Sequence, residues 1–219
     1  MKRFLLFCLI PLLGFARAET PAAPLPTFLL VSPQGMDTTL VHRVQTWMAT
    51  NLHYQVRSLS IPAWQGTNAS EQIEVLQSLP GDNDLLMVVL ANRLDAGKHA
   101  VLINEHAAGF INVPLLASEN PETFARRLER QAMRLVAFAL GVPPQPMPFC
   151  ALAPYQSIEE LDRIGRGFSP PAMAMYRQKL VELQLPLSPA GQALLPDVRI
   201  TMPAFPSMPA PLPPPPVQD

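Results

Sequence analysis

Residues 120–150 constrain the fold of this chain most strongly, because they carry signals for both ends of a long helix. Asn120 can cap the first turn, Pro121 suits the first helical position, and Glu122 complements the positive end of the helix dipole. Gly141 can adopt the left-handed conformation that ends a helix, and the consecutive prolines that follow prevent its continuation. These signals predict a helix of roughly twenty residues, about 30 Å long.

The two halves of this predicted helix differ in polarity. The C-terminal half, residues 135–140, is apolar nearly all round, which predicts that it is buried. The N-terminal half carries charged side chains that we expect on an outer, solvent-facing surface: Arg126, Arg127, Glu129 and Arg130.

The N-terminus has the pattern of a bacterial secretory signal peptide. Lys2 and Arg3 precede an apolar run at residues 4–15, and small residues before position 19 predict cleavage after Ala18. The run is too short for an ordinary transmembrane helix, and no later segment is long and apolar enough for one. We therefore expect a periplasmic or secreted protein. The mature chain would keep one cysteine, Cys150, and so could form no intramolecular disulfide.

Net charge and proline content indicate which partners the protein can bind and how the chain is divided into segments. The net charge of −1 argues against a nucleic-acid partner, because phosphate binding needs clustered lysine and arginine. The chain has 27 prolines, and eight of them follow residue 200. We expect this tail to be extended and disordered. The predicted organisation is a signal peptide at 1–18, a Pro/Ala-rich leader at 19–26, a single domain at 27–185 and a Pro-rich tail at 186–219.

Hydrophobic patterns inside the domain predict an α/β (α+β) fold. Strand patterns alternate with helix patterns, which favours a mixed, twisted sheet with packed helices and an antiparallel strand or two at an edge. Beyond Cys150, Ser157 and Ser169 can each cap a short helix, which predicts a small helical C-terminal subdomain. The predicted strands are 27–32, 54–59, 84–90 and a possible hairpin of 100–103 with 109–113; helices are expected after Asp37 and Asn68.

The stretch around Gly141 resembles the archaemetzincin family of zinc metallopeptidases. The family pattern is HExxHxxGxxHCxxxxC, followed by a methionine turn and a CxxC. When its glycine is placed on Gly141, its second cysteine falls on Cys150, and a later acidic and an aromatic position fall on Asp162 and Phe168. The resemblance covers about residues 27–185. It implies a metzincin-like domain in which the long helix takes the place of the active-site helix.

The zinc ligands of the family are missing at the matching positions. Its three histidines fall on Arg134, Phe138 and Pro144, and its catalytic glutamate falls on Leu135. A catalytic zinc needs three deprotonated ligands, whereas a guanidinium stays protonated and a leucine accepts no proton. The methionine of the turn falls on Leu152, and the remaining cysteines fall on Gln145, Ser169 and Ala172. The resemblance thus implies a degenerate member with no catalytic residues, no metal and no cofactor, in which Cys150 is a residual family cysteine.

Three functional hypotheses follow. The first is a secreted, catalytically inactive relative of these peptidases that binds a peptide or an envelope protein through the former cleft. The second is a peptidase or other hydrolase that retains activity through non-standard residues, with Cys150 as nucleophile and His99 or His106 approaching it through the fold. The third is an envelope interaction protein acting through residues 211–216, a stiff proline-rich ligand. The four histidines lack metal-ligand spacing: His42, His53, His99 and His106.

Overall fold

The computed structural model describes residues 25–63, 68–94 and 97–186. The predicted signal peptide, nearly all of the predicted leader and the tail beyond Pro186 lie outside the described residues. No helix in the described part of the chain is long and apolar enough to cross a membrane.

The described residues form a mixed α/β domain with a five-stranded sheet. The strands are β1 Thr27–Pro33, β2 Gln55–Ile61, β3 Asp84–Ala91, β4 Ala100–Ile103 and β5 Ala108–Asn112. The helices are α1 Thr38–Leu52, α2 Ala69–Leu76, α3 Val113–Leu116, α4 Pro121–Ala139, α5 Ile158–Arg163 and α6 Pro170–Glu182. A 3₁₀ turn, Asn104–His106, joins β4 to β5.

The strand order is β2-β1-β3-β5-β4. The first four strands in this order are parallel, and β4 runs antiparallel to β5 at the edge. The predicted mixed sheet and its antiparallel edge hairpin are therefore confirmed. Among the described strands β4 pairs with β5 alone, so its outer edge carries backbone groups with no strand partner.

The sheet is covered by helices on both faces, as its continuously apolar central strands require. In β1, Phe28 and Leu30 pack into the larger core with α1 and α4. Their neighbours Leu29 and Val31 point the other way, into a smaller core with α2. Successive residues of a strand point to opposite faces, so a strand buried on both sides is apolar throughout.

Helix α4 begins and ends where the sequence predicts. The Asn120 side chain accepts hydrogen bonds from the backbone N–H groups of Glu122 (2.9 Å) and Thr123 (3.2 Å). Gly141 has a φ of 79°, and the N–H groups of Gly141 and Val142 bond back to carbonyls within the helix. This paired arrangement satisfies carbonyls that a helix C-terminus would otherwise leave free.

The prediction that the charged side chains of α4 face solvent is wrong for two of them. Glu129 is only 1% exposed, and its carboxylate bonds to Arg43 of α1 (2.9 Å) and to Arg166 (3.1 Å). Arg130 is 5% exposed and donates to the backbone carbonyls of Ile164 and Asp162, both at 3.0 Å. Helix α1 and the C-terminal subdomain cover this side of α4, and each buried charge is paired, as its burial demands.

The apolar C-terminal half of α4 is buried only in part. Leu135 and the next two residues are buried as predicted, whereas residues 138–140 remain partly exposed. Phe138 among them lines an open cleft, which is described next.

Candidate binding cleft

A cavity of about 440 Å³ lies between β4, α4 and the segment that holds Tyr155. Three of the positions that match the zinc-peptidase pattern line this cavity: Arg134, Leu135 and Phe138. Pro144, at the position of the third family histidine, is not among its lining residues. The other lining residues are Gly97, Lys98, His99, Ala100, Leu102, Gln131, Tyr155 and Gln156.

Arg134 is one of two cationic residues, with Lys98, among the described residues that line this cleft. Its Nη1 donates to the backbone carbonyls of Ala151 and Ala153, both at 2.7 Å. The guanidinium carbon lies 5.1 Å from the Phe138 ring centre and 4.8 Å from the Tyr155 ring centre. The sequence requires a carbonyl, a carboxylate or solvent for this charge, and two carbonyls supply that need. Burial lowers the pKa of Arg134, but a guanidinium remains protonated in proteins.

Tyr155 connects the two walls of the cleft. Its hydroxyl accepts a hydrogen bond from Nε2 of Gln131 on α4 (2.7 Å) and lies 3.1 Å from Nδ1 of His99 beside β4. The His99 and Tyr155 rings also stack, with centres 5.6 Å apart and planes within 9°. Because the amide NH₂ can only donate, the phenol proton is available to His99 Nδ1.

Electrostatics favour the neutral forms of this pair. Burial raises the pKa of Tyr155, an effect that the Gln131 hydrogen bond and the Arg134 charge oppose. Burial, followed by the charge of Arg127, lowers the pKa of His99. A neutral imidazole can accept a hydrogen bond at Nδ1, which fits the contact with the phenol.

A second group of motif positions gathers around Cys150. The thiol is fully buried, and its sulfur accepts from the backbone N–H groups of Leu152 and Ser169, both at 3.4 Å. Gln145 is also buried, and its Nε2 donates to the carbonyls of Pro143 (3.2 Å) and Pro144 (3.3 Å). The fold therefore brings the second cysteine position of the pattern next to the first position of its CxxC.

The remaining motif residues support the packing of the C-terminal subdomain. The Asp162 carboxylate forms an ion pair with Arg127 of α4 at 2.6 Å. The Phe168 ring lies 5.4 Å from the ring of Tyr176 on α6. Both contacts hold the subdomain together or against α4.

The structure does not pair Cys150 with a histidine. His99 bonds to Tyr155, and His106 is exposed in the turn after β4. Within the described ranges, no three His, Cys, Asp or Glu side chains are grouped so that they could hold a metal ion.

Sequence reasoning considered His99 as a partner of Cys150, but it did not connect Arg134 with the other polar groups of the cleft: His99, Gln131, Tyr155 and Lys98. They come from three separate segments with no shared spacing. Only the fold places them together.

Comparison with known proteins identifies the architecture. No protein-family model matches the chain, and no curated protein is significantly similar in sequence. Solved structures do match. The crystal structure of archaemetzincin from Methanopyrus kandleri superposes with a TM-score of 0.62 at 17% identity, over 74% of this chain and 98% of that one.

This chain has an archaemetzincin-like fold. Archaemetzincin from Archaeoglobus fulgidus matches with a TM-score of 0.53 at 12% identity, over 67% of this chain and 98% of its own. A zinc-dependent peptidase from Methanocorpusculum labreanum matches with a TM-score of 0.58 at 11% identity, over 68% of this chain and 99% of its own. The likeness covers almost the whole of each archaeal protein, so the expected metzincin-like fold is confirmed.

Proposed function

We propose that this protein is a secreted, catalytically inactive relative of the archaemetzincins that binds peptide or protein segments in the bacterial cell envelope. The domain at residues 27–185 would hold the segment in the cleft beside β4. The observation that carries this proposal is the position and the hydrogen bonding of Arg134. At the first ligand position of a zinc peptidase pattern stands a guanidinium, anchored by two carbonyls.

The residues at the catalytic positions do not fit a zinc ion. Arg134 has no lone pair to donate and repels a dication, and Phe138 and the proline at position 144 offer no ligand atom. Leu135, at the position of the general base, is 3% exposed and cannot take a proton. This donor set argues against metal-dependent hydrolysis.

The positions of the family's cysteines do not fit a structural zinc either. Cys150 is the one thiol there, and the other three positions hold Gln145, Ser169 and Ala172. The thiol, the amide and the serine hydroxyl all have hydrogen-bond partners within the protein. Packing and hydrogen bonds therefore supply the stability that a four-cysteine zinc site contributes in other folds.

The edge strand supports peptide binding. The N–H of Asn112 bonds to the carbonyl of His99, which makes this a hydrogen-bonded pair of the β4–β5 ladder. Hydrogen-bonded and non-hydrogen-bonded residue pairs alternate along antiparallel strands. Ala100 and Leu102 therefore belong to non-hydrogen-bonded pairs with β5, and their backbone N–H and C=O groups point away from β5, to the outer edge. Both residues also line the cleft. An extended peptide can add to such an edge while one of its side chains enters the cavity.

The test combines binding and cleavage on the same peptides. Fluorescence polarisation with a panel of extended, labelled peptides measures binding, and mass spectrometry of each mixture measures cleavage. We expect bound peptides to be recovered intact. Leu102→Pro removes an outward N–H and should abolish binding while the protein stays folded, because proline is tolerated at a sheet edge. Cleavage that a metal chelator stops would contradict the proposal.

A further inference from the structure

We propose that Arg134 makes the cleft a carboxylate-binding site, so that the protein selects peptides by a free C-terminal carboxylate or an acidic side chain. This inference rests on the proposed peptide-binding function and names the chemistry that the same cleft recognises. Three observations support it: the unused donors of Arg134, the charge of the cavity lining, and the rings that hold the guanidinium.

The first observation is that only one end of the guanidinium is used. Nη1 carries two hydrogens, and these are directed at the carbonyls of Ala151 and Ala153. The structure shows no hydrogen bond from Nε or Nη2 of Arg134 to any described residue, and Arg134 lines the cavity. The edge formed by Nε–H and Nη2–H is the planar fork that receives a carboxylate through two parallel hydrogen bonds.

The second observation is an unbalanced positive charge. Other arginines of the domain have carboxylate partners: Arg43 pairs with Glu129, Arg57 with Asp84, and Arg127 with Asp162. Arg134 forms no ion pair with any described residue. Of the described residues that line the cavity, Lys98 and Arg134 are cationic and none is acidic. A partly buried charge without a counter-ion retains a desolvation cost, which an incoming anion offsets.

The third observation is that the guanidinium is held before any ligand arrives. The two carbonyls fix Nη1, and the rings of Phe138 and Tyr155 both lie within about 5 Å of the guanidinium carbon. Tyr155 is itself held by Gln131 and His99. A fork that is already ordered loses little rotamer freedom when a ligand binds, which favours affinity.

Calorimetry with matched peptides tests this inference on the unaltered protein. One peptide is used with a free C-terminal carboxylate, as its C-terminal amide, and as the amide with an internal glutamate. Malonate serves as a small competitor. We expect the free acid to bind at least about tenfold more tightly than the plain amide, the usual scale for charge-assisted hydrogen bonds. Tight binding of only the glutamate-containing amide would assign the site to an acidic side chain instead of a C-terminus.

Substitutions then locate the effect. Arg134→Gln should remove the preference for the carboxylate, and Arg134→Lys should keep only part of it, because a lysine lacks the planar fork. Arg126→Gln on the exposed face of the same helix is the matched control and should change nothing. The comparison of acid and amide uses the natural protein, so it remains decisive if an Arg134 variant does not fold.

The outcomes separate this inference from the proposed function. Equal binding of all three peptides would overturn carboxylate selection while leaving peptide binding in place. Binding of malonate that Arg134→Gln abolishes, without binding of any peptide, would support the carboxylate site and overturn the peptide-binding role. No binding of malonate or of any peptide would overturn both.

Discussion

Replacing Leu135, which lines the cleft, tests how closely α4 packs against β5 at this position. Leu135 of α4 packs directly over Gly109 of β5: a Cβ on Gly109 would lie 2.8 Å from Leu135 Cδ1 and 2.9 Å from Cδ2. Leu135 is also 3% exposed. Leu135→Ala removes three carbon atoms, a loss of roughly 2.4 kcal/mol at about 0.8 kcal/mol per buried CH₂. The space left behind adds to this, so we expect a total loss of about 2.5–4 kcal/mol.

Gly109→Ala gives the complementary perturbation. In the natural protein the new methyl group meets the tip of Leu135, and overpacking of this kind costs about 1–3 kcal/mol. In the Leu135→Ala background the same methyl group enters vacated space, so its cost should vanish or become a gain. The double variant should therefore be more stable than the sum of the single changes predicts, by about 1–2 kcal/mol.

Urea unfolding followed by circular dichroism, on the natural protein and the three variants, measures all four free energies. A cost of Leu135→Ala below about 1 kcal/mol, or additivity of the two changes within about 0.5 kcal/mol, would contradict close packing of Leu135 against Gly109. Either result would mean that the position of the family's general base is solvated and not closed by packing.

Three further predictions concern the surroundings of the cleft. Glu129→Ala should destabilise the protein by about 1–3 kcal/mol in urea unfolding, because Arg43 and Arg166 would lose a hydrogen-bonded partner; a loss below about 0.5 kcal/mol would contradict this. Gly165→Ala should cost about 2 kcal/mol or more, since its Cβ would lie 1.9 Å from the carbonyl oxygen of Phe149; a thermal melt like that of the natural protein would refute the close approach. Burial lowers the pKa of His99 in the folded protein below the value of about 6.5 in the unfolded chain. At more acidic pH the unfolded chain therefore binds more protons, so the free energy of unfolding decreases as the pH is lowered. His99→Gln should reduce that decrease in unfolding experiments at about pH 5 and pH 7, and an unchanged slope would count against the partly buried neutral imidazole.

The sequence predicts the elements of this fold well because their signals are local. Asn120 and Gly141 bound α4 by side-chain capping and by a left-handed backbone, each of which depends on a few neighbouring residues. The caps at Asn68, Ser157 and Ser169 form for the same reason. The continuous apolar runs of β1 and β3 are likewise visible in short stretches of the sequence.

Burial of charge could not be predicted in this way. Glu129 and Arg130 have the sequence pattern of a solvated helix face, and they are buried because Arg43, Arg166 and the subdomain carbonyls reach them from distant segments. A charged residue can be buried only with such partners, and sequence spacing does not reveal them.

The candidate site was likewise predictable only in part. The family pattern aligned on Gly141 picked out Arg134, Leu135 and Phe138, and all three line the cavity, because Phe138 lies one helical turn from each of the other two. It gave no indication of His99 and Tyr155, which come from other segments. It also placed the family's third histidine position on Pro144, but that residue does not line the cavity.

The zinc content of the purified protein is the decisive measurement, because a guanidinium stands at a ligand position of the zinc-peptidase pattern. The protein would be purified without chelators, equilibrated with zinc, separated from free metal and measured by mass spectrometry of the element. We expect zinc far below one ion per chain and a melting temperature that a chelator does not change. Stoichiometric zinc, with a melting temperature that falls when the metal is removed, would contradict this expectation.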